Sequence, residues 1–191
     1  AFNPSMQNEV VKSYMELNKP DSARIYLAAR LLSERGDKIV LNCMMAETYI
    51  PEGQEDSAFV FLDRAMKSYK EKAKNYQKQG REAILPNCFL SPCYLFADLL
   101  WKKGKIQQAS QYYMIVEPLM KERVKTPVRM ELQIKALTNF SSFCRETKQY
   151  EKALDLLARR DSVLQTYLEF KAKNDKKNYA ERLKIQELKH E

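Results

Sequence analysis

Four times along the chain a small residue is followed four positions later by a large apolar or aromatic one, each time just after a polar turn. Ala23 and Leu27 follow Asn18-Lys19-Pro20-Asp21, and Ala58 and Leu62 follow Pro51-Glu52-Gly53. Ala109 and Tyr113 follow Lys103-Gly104-Lys105, and Ala153 and Leu157 follow Thr147-Lys148-Gln149. Twelve residues before each Ala stands another small or modest residue, Val11, Ala46, Ala97 and Ser141, and three beyond those come Tyr14, Tyr49, Leu100 and Cys144. This is the register of a helix-turn-helix unit: a small residue lets the first helix approach the second closely, and the large one fills the gap beside it. A chain built this way has little choice but to stack pairs of helices.

Composition agrees. Only 4 Gly and 7 Pro stand among 191 residues, against 33 Lys+Arg and 25 Asp+Glu, too few turn residues for a sandwich or barrel. All four glycines, Gly36, Gly53, Gly80 and Gly104, fall at predicted helix ends, which leaves none for a phosphate-cradling loop. The pattern predicts helices over about 4–17, 21–35, 38–50, 56–79, 87–103, 106–121, 128–146 and 150–159, then a long terminal one over about 161–189, separate from its predecessor or continuous with it. The expected fold is therefore all-α: an α-α superhelix of about four helix-turn-helix repeats plus a long C-terminal helix, divided as a repeat domain over 1–160 and a charged cap or connector over 161–191.

The pattern of sizes resembles the tetratricopeptide repeat (TPR) family, whose unit of 34 residues reads W-x2-L-G-x2-Y followed by A-x3-F. The Ala-to-Ala spacings are 35, 51 and 44, so the first is near that period and the others carry insertions. The larger surplus is placed in a long second helix from Ser57 to about Gln79, which has no Gly or Pro, and the smaller one near Lys121 to Thr126, before Pro127. The Trp, Gly and closing Pro positions of the family pattern hold other residues, which makes the repeats divergent.

The resemblance implies a groove lined by first-helix positions that face away from the second helices. Those positions are Asn8, Lys12 and Met15, then Val40, Cys43 and Glu47, then Tyr94, Asp98 and Trp101, then Thr138, Ser142 and Arg145. Tyr94, Asp98 and Trp101 share one helix face, a mixture of aromatics and a carboxylate that suits an extended peptide. The partner-binding candidates drawn from the set are Asn8, Lys12, Glu47, Tyr94, Asp98, Trp101, Ser142 and Arg145.

Chemistry is scarce. The one histidine is His190, beside the last residue, so the body of the chain can build no His-based catalytic or multi-His metal site. Cys43, Cys88, Cys93 and Cys144 form no CxxC pair and lie among apolar residues, where free thiols behave as small hydrophobes. No catalytic motif, cofactor or metal is implied, and the expectation is a non-enzymatic segment. The net charge of +8 is concentrated in residues 61–125, where Lys67, Lys70, Lys72, Lys74, Lys78 and Arg81 spread around more than one helix face and are interrupted by Glu71 and Glu82. That arrangement disfavours nucleic acid. No apolar run reaches membrane-spanning length, so any membrane element belongs to segments outside this chain.

A second resemblance concerns layout. Asp161-Ser162-Val163-Leu164 followed by a helix dense in Lys, Glu and Gln looks like the sensor regions of bacterial two-component histidine kinases and related TPR-containing regulators. It implies an extracytoplasmic, periplasmic input domain that binds a protein or peptide and works as a homodimer. The phosphorylated histidine would lie elsewhere, and nothing assigns that role to His190. The alternative is a free-standing TPR adaptor or regulator segment, with a cytoplasmic location.

Overall fold

The computed structural model describes residues 4–33, 36–122 and 125–187, with side chains from residue 9 to residue 178 inside those ranges and Glu181 beyond them. Every regular element among them is helical: α1 (Pro4–Glu16), α2 (Pro20–Leu32), α3 (Lys38–Tyr49), α4 (Glu55–Lys78), α5 (Leu90–Lys102), α6 (Ile106–Lys121), α7 (Pro127–Glu146) and α8 (Tyr150–Glu187), with single 3-10 turns at Ile50–Glu52 and Asn87–Phe89. The all-α expectation of paired helices is met. Two compact units are present, Ala1–Leu119 and Met120–Glu191.

Local chemistry explains where the helices start. Pro20 and Pro127 occupy the first helical positions of α2 and α7, where the missing N–H would have had no partner anyway. Asp37 caps α3, its carboxylate accepting from the Ile39 amide at 2.8 Å. α4 runs 24 residues without Gly or Pro, as expected for the inserted length.

The four A-to-B turns are built alike, and this is what makes the chain a repeat. Asn18, Gly53, Gly104 and Lys148 each stand five residues before the repeat Ala, and each has a left-handed backbone, with φ of 54°, 68°, 75° and 61°. The following amide (Lys19, Gln54, Lys105, Gln149) donates back to the carbonyl five residues earlier, at Tyr14, Tyr49, Leu100 and Cys144, over 2.7–3.2 Å. This is a helix-ending turn in which the left-handed residue satisfies carbonyls that the helix leaves open.

Behind each turn the small-large pair packs as expected in three of four units. Ala23, Leu27, Ala58, Ala109 and Tyr113 have no exposed surface and Leu62 has 2%. The fourth unit departs: Ala153 is buried, but Leu156 fills the gap while Leu157 keeps some exposure. The first-helix residues Val11, Ala46, Ala97 and Ser141 are all buried.

Two polar ties join neighbouring pairs in the first unit. Arg24 of α2 lies 4.1 Å over the Tyr49 ring, donates to the Thr48 carbonyl at 2.6 Å and its hydroxyl at 3.2 Å, and pairs with Asp21 and Glu52. Glu55, at the start of α4, pairs with Lys103 at 3.1 Å and with Lys105, both in the α5–α6 turn. Lys105 first, then Lys103, hold the Glu55 carboxyl below its ordinary range. In the second unit α7 packs against α8. α8 continues unbroken through Arg160 and Asp161, where a separate last helix was one of the two expectations: no Gly or Pro interrupts it, and the Arg159–Asp155 pair at 2.6 Å spans one turn there.

Candidate functional site

The predicted groove residues have different fates. Lys12 is exposed on α1 and paired with Glu16 at 3.6 Å. The side chain of Asn8 lies outside the described residues. Glu47, Tyr94 and Asp98 are brought together, since the charges of both carboxylates bear on the Tyr94 hydroxyl, which burial chiefly pushes up to about 12. Tyr94 is only 5% exposed, however, and Asp98 accepts the hydroxyl of buried Tyr113. Tyr94 therefore offers a partner almost no surface, and Asp98 has an internal bond. Trp101, at the end of α5, is partly exposed, as is Ser142 on α7; Arg145 is exposed.

The reason for the loss on α3 is the inserted length. After α4 the chain returns across α3 through the turn at Asn87–Phe89, which packs against α3 and α5. Tyr69 anchors this return, donating to the Ala83 carbonyl at 3.2 Å and meeting the Phe89 ring edge-on at 6.0 Å. Cys43, a predicted groove position, is thereby covered at 1% exposure.

Under that cover lies a thiol cluster. Cys43 and Cys88 are hydrogen-bonded to each other, and Cys43's thiol holds Cys88 below the ordinary thiol range while Cys43 itself is pushed up. Cys93 is pushed up mainly by burial. Glu47, whose charge reaches all three, rises to about 7 because its carboxyl is desolvated, against a hydrogen bond from Ser91 that lowers it. All four cysteines are free thiols, and among the described residues no group of three His, Cys, Asp or Glu is placed to hold a metal ion. His190 lies outside the described residues.

The second unit holds a feature that the groove register missed. A cavity of about 570 Å³ opens between the end of α6, the start of α7 and the middle of α8, with Met120, Met130 and Val163 as its apolar wall. Gln133, 1% exposed, stands in it and donates through Nε2 to the carbonyls of Met120 at 2.6 Å and Glu122 at 3.0 Å. Those carbonyls belong to the end of α6, which Gln133 caps from the side. The amide orientation follows, because turning it over would set its oxygen against two carbonyl oxygens. Oε1 is left buried without a partner, and so is Nη1 of Arg159, whose Nη2 meets Asp155. Each such atom costs about 1–3 kcal/mol. The legible signal was Gln133 itself, a polar residue on the buried stripe that Met130, Leu137 and Phe140 define.

Residues 90–114, spanning α5 and the first half of α6, match the family model described as tetratricopeptide repeat. No curated protein matches the chain, and no solved structure does. The helical pairs, their shared turn and this match make the fold an all-α, TPR-like helical repeat, a class whose members serve as protein-binding modules. No described helix is long and apolar enough to cross a membrane.

Proposed function

We propose that the chain is a non-catalytic, peptide- or protein-binding module that acts as the input domain of a two-component signalling protein. The observation that carries the binding role is the turn geometry shared by four helix pairs, centred on the pair that matches the tetratricopeptide repeat. In such stacks each pair contacts only its neighbours, so one face of successive first helices is left to a partner. With Tyr94 and Asp98 turned inward, Trp101 is the groove residue best placed to anchor a partner on the first unit, and Lys12 adds charge on α1. Ser142 and Arg145 offer the corresponding surface of α7.

The input role is supported by α8. Tyr167, near the middle of the helix, donates to Glu131 of α7, and beyond it residues 171–178 are all exposed, so the helix runs on past its packing partner in the manner of a connector. The bacterial, periplasmic and homodimeric parts of this reading rest on the layout resemblance alone. A comparative pull-down with the isolated chain tests the binding role: Trp101→Ala lowers recovery of the partner while the helical circular dichroism is unchanged. Equal recovery by the variant overturns the groove assignment. Fractionation of the native protein tests the input role, which requires the membrane fraction.

A further inference from the structure

We infer that Cys88 and Cys43 form a peroxide-responsive modification site, in which a hydroperoxide oxidises Cys88 and Cys43 closes a disulfide with it, fastening the return after α4 onto α3. The site is separate from the groove and does not depend on the partner-binding reading. The two residues come from distant parts of the chain, Cys43 from the middle of α3 and Cys88 from the turn at Asn87–Phe89, and the fold brings their thiols into a hydrogen bond. A disulfide needs Cα atoms about 4.4–6.8 Å apart. The turn packs within 8 Å of α3 between Cα atoms, and residues 81–86 before it have no regular structure, so the side that carries Cys88 can close the remainder. Cys43 is 1% exposed and Cys88 is partly exposed, so a small oxidant meets Cys88 first.

The hydrogen bond also divides the roles. It leaves the proton on Cys43 and holds Cys88 below the ordinary thiol range, although burial and the charges of Asp37 and Glu47 work against this. The thiolate is the form that reacts with peroxide. Its sulfur bonds to one peroxide oxygen, the O–O bond breaks, and the hydroxide that leaves takes up the proton Cys88 had released, which makes water and Cys88 sulfenic acid. The Cys43 sulfur then displaces the sulfenic hydroxyl, which departs as water with the Cys43 proton as the S–S bond forms. Two thiols are oxidised and one hydrogen peroxide is reduced to two waters. Without a thiol beside it the sulfenic acid would persist or climb to sulfinic acid. Cys93, near the start of α5, is 0% exposed and pushed up mainly by burial, and the hydrogen bond of Cys88 runs to Cys43. The new bond encloses all of α4, and closing a loop of that length restrains the unfolded chain.

The test exposes the fully reduced chain to hydrogen peroxide, counts thiols with iodoacetamide after denaturation, and maps linkages by peptide mass spectrometry without reduction. The count should fall from four thiols to two, with Cys43 linked to Cys88 and with Cys93 and Cys144 still free, and dithiothreitol should restore all four. The oxidised chain should unfold about 5–10 °C above the reduced one, as a typical disulfide contribution gives in a chain of this size. Cys43→Ala should stop at a Cys88 sulfenic acid that dimedone traps, and Cys88→Ala should keep its remaining thiols under the same exposure. The wild-type map decides the matter even where a variant fails to fold. Four thiols retained in the wild type, a linkage of Cys88 to Cys93 or to a second chain, or an unfolding midpoint unchanged or lowered by oxidation overturns the proposal.

Discussion

Lys148 is the turn residue whose backbone conformation least suits its side chain. In the left-handed region an L-residue bears a strain of roughly 1–2 kcal/mol, which glycine avoids at an entropic cost of about 0.5–1 kcal/mol. Gly53 and Gly104 take the first route, with open space where a Cβ would stand, while Asn18 and Lys148 bear the strain. Lys148→Gly should therefore raise stability by about 0.5 kcal/mol, and Gly53→Ala or Gly104→Ala should lower it by about 1 kcal/mol, measured by urea unfolding. A second residue-scale effect belongs to Glu47. Its pKa of about 7 in the folded chain, above the ordinary 4.5, means that the fold binds a proton that the unfolded chain releases. Its contribution is thus fully present below about pH 4.5 and lost as pH rises through about 7. Glu47→Gln removes this slope and should leave the variant more stable than the wild type at pH 8, by up to about 3 kcal/mol. A variant that is less stable at pH 8 would contradict desolvation as the cause. Among the thiols, partly exposed Cys88 should be the first alkylated by iodoacetamide at neutral pH, with Cys43, Cys93 and Cys144 protected in the folded chain.

At the scale of elements, α4 and α8 are the two that exceed a repeat, and they do different things. α4 brings the chain back over α3 and closes a face that the family pattern leaves open. α8 spends its surplus in solvent, since residues 171–178 are exposed. Ending the chain after Phe170 should consequently change the unfolding midpoint by less than about 2 °C, while helical ellipticity falls with the residues removed. A fall of many degrees would show that the extension packs on its own domain. The sequence made the helices legible because the 3.6-residue stripe, the small-large pairs and the helix-end glycines are local signals. Tyr94 was misplaced for the opposite reason: it is buried on a side of α5 that lies within reach of Glu47 on α3, a long-range fact that a register counted along α5 does not contain. Leu156 and Leu157 differ by one position, below what a pattern of sizes resolves. The left-handed turn was visible at Gly53 and Gly104 and more weakly at Asn18, since Asn is the usual alternative to Gly there, but hidden at Lys148, where the residue type does not announce the conformation.

For the molecule as a whole, the question is which surface meets a partner. The first helices offer Lys12 and Trp101 in one unit and Ser142 and Arg145 in the other, whereas the second helices expose Ile25, Phe59 and Leu154. Isolated exposed apolar residues are ordinary on a protein surface, so the latter need no function. The cavity beside Gln133 escaped the sequence reading because its polar groups come from α7 and α8 and converge only in the folded pair. The most direct test of the partner-binding account is photo-crosslinking in native lysate, with benzoylphenylalanine placed in turn at positions 101, 142, 59 and 154. The account predicts an adduct from position 101, lost on competition with unlabelled chain, and little or none from positions 59 and 154. Competable adducts from 59 or 154 alone would contradict it, and would move the partner to the second helices.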